Sequence, residues 1–466
     1  MNRTLSARMA VIPVLALMGA AACSIFIWKA GMHLPLIIGV MAAAVVAVLA
    51  GWKWEEVQEM LVKGVSRALP AVFILLLIGM IIGSWIASGV IPSMIYYGLA
   101  SIHPSFFVPM VAIVTGIVSI TLGSSFTSIA TVGLAFMAIG EGLGFSPGLI
   151  AGAIISGAYF GDKLSPLSDT TNIAPVMAET DLFTHVKHML WDTIPAFLIA
   201  VVLYAFIGQA SAGGVETKTV DAILSGLQES FIIHPALLLM PVLTIVLMAK
   251  KTPAIPALTV VAMLGAVLAV IVQGESIGAV ANSLTSGYTI ESGVEAVDSL
   301  LNGGGLLSML GTVGLLIIAT GLGGILEETG AFKVLTNRMV EKVKSTGSLI
   351  SMTIFSTFVV AFASGAQFLA IILPARTFVE TYKKMGIHTK NLSRCVEAAG
   401  TVGINLVPWG VPAVFAAGVL GVGAGEFIPY AFFAFLVPLI NILYGYTGLT
   451  ITRTGSEKKK KVRGIA

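Results

Sequence analysis

The sequence predicts an all-α polytopic membrane protein with about 14 membrane segments, arranged as two inverted-topology repeats with re-entrant hairpins and discontinuous helices. Three observations predict it: an apolar composition, basic residues confined to one side, and interruptions that recur in both halves of the chain. Of the 466 residues, 57% are hydrophobic and 11% are charged, and the mean hydropathy is +0.98. A soluble domain carries about a quarter charged residues, so lipid is the solvent that suits this chain.

Long apolar stretches follow one another along the whole chain. About 14 of them are long enough to be membrane segments, and two of these are interrupted. They cover residues 9–28, 34–50, 68–91, 105–122, 126–140, 147–181 (interrupted), 189–208, 234–249, 253–272, 305–325, 349–365, 368–382, 391–421 (interrupted) and 426–443. The predicted organisation is a first transmembrane repeat at 1–208, a linker at 209–233, a second, inverted repeat at 234–450 and a basic cytoplasmic tail at 451–466.

The basic residues fall on one side of these segments. With a cytoplasmic amino terminus, nearly all Lys and Arg residues lie in cytoplasmic loops or in the tail, which contains Lys458–Lys461. Only Lys29 and Lys218 fall outside, and Lys163 and Arg376 lie within apolar segments. Because Lys and Arg are enriched in cytoplasmic loops, this pattern predicts a multi-pass protein of a bacterial inner membrane with both termini in the cytoplasm.

A weak internal repeat appears when the chain is shifted by the 242 residues that separate Gly123 from Gly365. The matched positions fall on a Gly-led tip between two short apolar arms and on a Gly-to-Pro interruption in the next segment. An odd number of segments in each half places the second half in the opposite orientation. Inverted repeats with paired broken helices are typical of secondary transporters, whose binding site lies where the breaks meet.

The densest polar cluster at membrane depth is the run from Gly161 to Pro175. Pro166 and Pro175 lack backbone donors and Gly161 permits unusual dihedral angles, so a continuous helix is not expected here. The candidate ion or substrate ligands in this run are Asp162, Lys163, Ser165, Ser168, Asp169, Thr170, Thr171 and Asn172. Their hard oxygen atoms, with the carbonyls of an opened helix, suit a small cation such as Na⁺. The run contains no His or Cys, which argues against a transition metal.

Asp162 and Asp169 are the predicted Na⁺ ligands and proton-exchanging acids. A carboxylate removed from water resists ionisation, so a proton and Na⁺ compete for the same oxygen atoms. That competition at one alternately exposed site is sufficient for antiport. Lys163 either pairs with one of these acids and leaves when the ion arrives, or neutralises Asp162 as a structural ion pair. The alternative for the whole run is a solvated polar loop at the membrane interface.

The run from Gly161 to Pro175 closely resembles the signature of the NhaC sodium/proton antiporters, and the resemblance extends over essentially the whole chain. It implies the fold of the ion transporter superfamily, two inverted repeats, and Na⁺, H⁺ and sometimes a small organic acid as substrates. Some relatives exchange malate for lactate, so the resemblance leaves the substrate open. It is also the ground for expecting a homodimer.

Further candidates lie at the hairpin tips and in the second break. Ser124 and Ser125 are at the first tip and Gln367 is at the second, where they either complete the site or pack helices together. In the second break, Ile404 and Asn405 take the places of Asp162 and Lys163. The predicted ligands of this half are therefore Thr401 and Asn405, while Trp409 either walls the site or fills space.

Two charged residues of the second half allow alternatives. Glu397 precedes the second break by one turn and either carries a coupled proton or pairs with Arg394. Arg376 either receives a substrate carboxylate, which favours organic-acid exchange, or extends to the interface. His185 and His188 lie near a segment end, where a pH-sensing role is conceivable, although loop histidines usually have no special role.

The main prediction is a secondary transporter that exchanges Na⁺ for H⁺, with a Na⁺- or H⁺-coupled organic-acid antiporter as the alternative. An ion channel is a weaker candidate, because a single chain with two inverted halves favours alternating access. The sequence has no phosphate-binding Gly loop, nucleophile elbow or zinc signature, which argues against an enzyme and against a cofactor. The basic tail suits anionic lipid better than nucleic acid.

Overall fold

The computed structural model describes residues 5–28, 30–101, 103–212, 217–250 and 252–454. Most of the chain in these ranges is helical, and extended backbone pairs there only at two isolated bridges, Tyr288 with Gly303 and Ile387 with Arg453. The predicted external residue Lys29 and the basic cluster Lys458–Lys461 lie outside the described residues.

The helices of the amino-terminal half include short connecting helices between longer apolar ones. They are α1 Ala7–Ala22, α2 His33–Leu49, α3 Trp54–Ser66, α4 Leu69–Ala87, α5 Val90–Ser101, α6 Pro104–Leu122, α7 Ser125–Ser128, α8 Leu134–Gly142, α9 Pro147–Leu164, α10 Asp169–Met177, α11 Leu182–Ala212 and α12 Thr217–Ser230. Two π-helical segments, Cys23–Trp28 and Ile129–Gly133, extend α1 and join α7 to α8.

The carboxyl-terminal half also consists of long apolar helices with short helices between them. Its helices are α13 Leu239–Ala249, α14 Ala254–Gln273, α15 Ile277–Thr285, α16 Glu295–Leu301, α17 Leu310–Glu328, α18 Ala331–Val340, α19 Thr346–Ser364, α20 Gln367–Lys384, α21 Lys390–Glu397, α22 Val411–Leu420, α23 Ala424–Phe427 and α24 Phe432–Thr447. Short 3₁₀ turns precede α13, α17 and α24 at Pro235–Leu238, Leu306–Met309 and Ile428–Tyr430.

Helical structure lies over every apolar segment that the sequence indicates, which confirms a multi-pass helical membrane protein. Among the described residues, seven helices are long and apolar enough to cross a membrane, and the number rises to ten if each of three bent helix pairs is one span. One of these bent pairs, Lys390–Leu406 with Val411–Leu420, contains the second predicted break. The count of 14 segments stays a prediction.

The helix ends of the two halves correspond at the offset seen in the sequence. Helix α6 and helix α19 each end at a left-handed glycine, Gly123 with φ of 69° and Gly365 with φ of 63°. The next arms begin at Ser125 and Gln367, at the same offset. Each arm is followed by a further left-handed glycine, Gly144 or Gly386. Left-handed dihedral angles favour glycine, so the matched glycines mark matched turns.

Glycines bring α6 and α9 into close contact. A Cβ atom at Gly161 would lie 2.5 Å from the backbone nitrogen of Ile120 and 2.5 Å from Ser119 Cβ, and would also meet the carbonyl oxygen of Gly116. Small residues permit such an approach between membrane helices. The contact fixes the last turn of α9, which carries Asp162, against the helix that leads into the first hairpin tip.

Candidate functional site

The first predicted break is present. Helix α9 ends at Leu164, and α10 begins at Asp169 after a four-residue interruption. Ser168 caps α10, since its hydroxyl accepts a hydrogen bond from the backbone N–H of Thr171 at 3.5 Å. Pro166 lies within the interruption and has no N–H to continue the helix. The break therefore follows from the residues that the sequence indicates.

Asp162 lies in the last turn of α9, directly before this break, and is only 5% exposed. Its Oδ2 accepts a hydrogen bond from Ser125 Oγ at 2.7 Å, which joins the first hairpin tip to the break. Within the described residues, no Lys, Arg or His forms an ion pair with this carboxylate. A buried carboxylate without a basic partner is costly unless it binds a proton or a cation.

Lys163 does not pair with Asp162 or Asp169, so both sequence alternatives for its partner are wrong. Its ammonium group lies 3.1 and 3.2 Å from the carboxylate oxygens of Asp192, and both side chains are fully buried. Successive residues of a helix point about 100° apart. Lys163 therefore reaches α11, while Asp162 faces the hairpin tip. Asp192 is a residue that sequence analysis missed.

Asp192 belongs to a buried polar network that reaches the carboxyl-terminal helix. Asn441 on α24 donates its amide N–H to Asp192 Oδ2 at 2.6 Å, and Asn441 Oδ1 accepts from Arg394 Nε at 2.8 Å. Arg394 also donates to Thr450 Oγ1 at 2.9 Å. Arg394 is fully buried, contrary to its predicted place in a cytoplasmic loop; these oxygen atoms accept from Nε and Nη1, while Nη2 has no hydrogen-bond partner among the described residues.

Glu397 pairs with His185 and not with Arg394. His185 Nε2 lies 2.5 Å from Glu397 Oε2, and Thr171 Oγ1 donates to Glu397 Oε1 at 2.8 Å. His185 is fully buried, although the sequence suggests a segment end. Helix α11 begins earlier than hydropathy indicates because Asp181 Oδ1 accepts from the backbone N–H of Thr184 at 2.9 Å and caps its first turn.

The remaining polar residues of the first break mostly support its backbone. Ser168 Oγ lies 3.0 Å from Thr170 Oγ1, and the amide of Asn172 donates to the carbonyls of Pro166 and Ser168 at 2.9 and 2.7 Å. Ser165 caps the end of α9 and is buried. Asp169 is exposed, in contrast to the dehydrated position expected from the sequence. It starts α10, where an acidic side chain is favoured by the helix dipole.

The second break unwinds into a π turn at Ala398–Val402 and a 3₁₀ turn at Gly403–Leu406. Thr401 and Asn405 are fully buried there, and Thr401 Oγ1 and Asn405 Oδ1 have no hydrogen-bond partner among the described residues. The same holds for the hydroxyl of Tyr159, which lies near Ser125, Asp162 and Asn405.

Hydrogen bonds of Gln367 and Trp409 position the second hairpin tip and the second break. Gln367 Nε2 donates to the carbonyl of Thr401 at 3.3 Å, which ties the second hairpin tip to the second break. Trp409 Nε1 donates to the carbonyl of Phe362 at 2.7 Å, and the two rings pack edge to face. Trp409 therefore fills space beside α19.

A cavity of about 1100 Å³ leads from the surface to Asp162. Its lining includes both hairpin tips, with Ser124, Ser125 and Gln367, and the exposed carboxylate of Asp169. Arg376 also lines it and forms no ion pair or hydrogen bond within the described part of the chain. Toward the surface the cavity reaches Arg67, which pairs with Glu327. No group of three or more His, Cys, Asp or Glu residues that suits a resident metal occurs in the ranges described.

Comparison with known proteins decides the family. The model of the Na⁺/H⁺ antiporter family matches residues 157–449, which include both breaks. The chain belongs to the Na⁺/H⁺ antiporter family. A Na⁺/H⁺ antiporter NhaC of Alkalihalophilus pseudofirmus is 38% identical over 94% of this chain and 95% of its own length.

Two relatives from Bacillus subtilis are similarly close to this antiporter-family chain. A malate-2H⁺/Na⁺-lactate antiporter is 37% identical over 92% of each chain. A Na⁺/H⁺ antiporter NhaC is 37% identical over 89% of this chain and 92% of its own length. The resemblance seen in the signature run is thereby confirmed.

Proposed function

We propose that this protein is a secondary transporter that exchanges Na⁺ for H⁺ across the bacterial cytoplasmic membrane by alternating access. The observation that carries the proposal is Asp162, a buried carboxylate at the end of a broken helix that lines a cavity and has no basic partner among the described residues. One site of this kind holds either a proton or a small cation, because both neutralise the same carboxylate.

Buried oxygen atoms that have no hydrogen-bond partner within the described ranges provide the other ligands for Na⁺. We assign this role to Tyr159 Oη, Thr401 Oγ1 and Asn405 Oδ1, together with Ser125 Oγ, which already contacts Asp162. Buried polar atoms are rarely left unpaired in proteins, and Na⁺ prefers hard oxygen ligands. Asp169 lies on the wall of the cavity and attracts cations on their way to Asp162.

Alternating access needs two halves that move against each other. The matched helix ends at Gly123 and Gly365 support two inverted repeats with 14 membrane segments in all. Both termini lie in the cytoplasm in this arrangement, because the basic loops then face inward. We retain a homodimer as the assembly that the family resemblance suggests.

Purified protein in proteoliposomes tests the exchange. Vesicles with an acidic interior and a pH-sensitive dye will lose their pH gradient when Na⁺ is added outside, and K⁺ will have no such effect. Asp162→Asn will reduce this Na⁺-dependent signal at least about 100-fold, because the amide binds neither a proton nor Na⁺ with comparable strength. Asp181→Asn is the matched control, since Asn keeps the helix cap and Asp181 lies away from the cavity. Normal flux in Asp162→Asn would refute the assignment.

Organic-acid exchange is the second candidate, and Arg376 is the observation that favours it. An unpaired guanidinium in the cavity suits a carboxylate, which it binds in a bidentate manner. A relative that is 37% identical is a malate-2H⁺/Na⁺-lactate antiporter. In the same vesicles, malate or lactate would then stimulate the Na⁺-dependent signal of the unaltered protein and not that of Arg376→Gln. Equal signals with and without these acids would exclude this candidate.

A further inference from the structure

We infer that a groove between α13 and α14 binds a membrane phospholipid, with an acyl chain along α13 and the polar end of the lipid at His234. The groove has a volume of about 750 Å³. None of its lining residues lines the cavity that leads to Asp162. The inference therefore concerns a second site and does not depend on which ions or acids the protein exchanges.

The walls of the groove are apolar. Helix α13 contributes Leu243 and Val246, among others, and α14 contributes Leu268 and Val272. Within the described ranges, His234 is the one polar side chain that lines the groove. Water gains no hydrogen bonds from such walls, and a charged or strongly polar ligand would lose its hydration there. The ligand that suits the groove is a hydrocarbon chain.

One end of the groove is fixed by the side chain of Gln273, the last residue of α14. Its Oε1 accepts from the backbone N–H of Ile232 at 3.0 Å, and its Nε2 donates to the carbonyls of Ile232 and Ser88 at 3.1 and 3.2 Å. These bonds hold the bend of 99° between α12 and the helix that follows it against the ends of α14 and α4. The start of the groove is therefore part of a built corner.

The length of the groove matches one leaflet of a bilayer. Ala236 and Val246 both line it and are ten residues apart, which corresponds to about 15 Å of helical rise. The hydrocarbon core of a bilayer is about 30 Å thick, so one leaflet is about 15 Å. The opposite end of α13, at Ala249, borders the cavity. The groove therefore begins at the end of α13 that is remote from the cavity.

His234 places a hydrogen-bond donor at the start of this apolar groove. Its Nδ1 accepts from the backbone N–H of Ala236 at 3.1 Å. An amide N–H can only donate, so Nδ1 has no hydrogen in this arrangement, and Nε2 carries the hydrogen of the neutral ring. The ring is exposed, and Nε2 has no partner in the part of the chain that the structure describes. Phosphate and ester oxygens of a phospholipid accept from such a donor.

The volume of the groove favours a lipid over a helix from a second copy of the chain. A helix with its side chains is at least about 10 Å wide, so 15 Å of helix fills about 1200 Å³. This volume exceeds the 750 Å³ of the groove. A hydrocarbon chain is much narrower than a helix. A helix also uses its own backbone acceptors internally, whereas a phospholipid brings free oxygen atoms to His234.

Photolabelling of purified protein in detergent solution tests the site. The probe is a phosphatidylglycerol with a diazirine at the end of one acyl chain, and mass spectrometry locates the labelled residues. We expect labelling around Val246 that saturates as the probe concentration rises and that excess unlabelled phosphatidylglycerol suppresses. Labelling at Leu198, on the exposed apolar face of α11, will increase without saturation, because detergent and lipid exchange freely there.

Two variants change the groove at different points. Leu243→Trp fills it and will abolish the saturable labelling, whereas Leu198→Trp adds a ring to an exposed surface outside the groove and will leave the labelling unchanged. His234→Ala removes the donor and will raise the probe concentration for half-saturation about fivefold. His103→Ala is the matched control, because His103 is exposed, caps α6 through Nδ1 in the same way and lies outside the groove.

Three results would overturn the inference. The first is labelling spread over all exposed apolar surfaces without saturation, which would indicate general lipid contact only. The second is equal half-saturation in His234→Ala and His103→Ala, a comparison that remains if Leu243→Trp does not fold. The third is an absence of lipid labelling together with cross-linking of Leu239→Cys between two copies, which would assign the groove to a dimer interface. None of these results affects the proposed ion exchange, because the assay contains no transport step.

Discussion

Asp162 and Lys163 are adjacent in the chain and have opposite surroundings. Lys163 meets Asp192 within 3.2 Å in a fully buried pair, whereas Asp162 accepts a hydrogen bond from Ser125 Oγ and has no ion-pair partner in the part of the chain that the structure describes. Asp192 thereby holds the ammonium away from Asp162. The carboxylate at the bottom of the cavity remains available to a mobile cation because the nearest fixed cation is already neutralised.

The stability of the Lys163–Asp192 pair is testable by mutation. Asp192→Asn will leave a buried ammonium without a counter-ion and destabilise the protein by about 3–5 kcal/mol. Lys163→Met will leave Asp192 with the amide of Asn441 as its main partner. The double variant removes both charges and will recover much of this loss. The midpoint of thermal unfolding of purified protein measures the effect. Additive losses in the double variant would show that the two charges do not stabilise each other.

Much of the element structure could be predicted from the sequence because its signals are local. A glycine such as Gly123 or a proline such as Pro166 determines the conformation of the backbone at its own position. The helix ends and breaks therefore lie where these residues predict them. The partners of Lys163 and Glu397 could not be predicted, because Asp192 and His185 lie on another helix. The pairing depends on how α11 is rotated, and the early start of that helix depends on one capping bond from Asp181.

The contact between α6 and α9 gives a prediction at the scale of an element. Gly161→Ala will force the two helices apart, since the added Cβ meets backbone and Ser119 at 2.5 Å or less, and overpacking of this kind costs about 1–3 kcal/mol. The shift will also lower Na⁺-dependent proton flux, because Asp162 follows directly in the chain. Gly19→Ala is the control, with nothing within 4 Å of the added atom. Equal unfolding midpoints for both variants would contradict the packing argument.

At the scale of the whole molecule, the two halves have helix ends at matched positions, Gly123 and Gly365, but do not match in charge. The first break carries Asp162 and Lys163, and the matching positions of the second break are Ile404 and Asn405. Glu397, about two helical turns before Ile404, has an apolar counterpart, Ile155, at the same offset. Each half therefore has an interrupted helix, while the acids of the two halves lie at different points, Asp162 at the cavity and Glu397 in the buried pair with His185.

The position of the cavity mouth indicates which side of the membrane the cavity opens to, and this can be measured. Its mouth is lined by Arg67 and Glu327, on the side where the basic loops lie, so it opens toward the predicted cytoplasmic face. In a background with Cys23→Ala and Cys395→Ala, Leu373→Cys in the cavity will react with a membrane-impermeant thiol reagent faster in inside-out vesicles than in intact cells. Glu291→Cys, in an exposed loop on the other side, will show the opposite pattern. Reaction of Leu373→Cys from outside alone would reverse the assigned topology, because the cavity and the basic loops would then face the exterior.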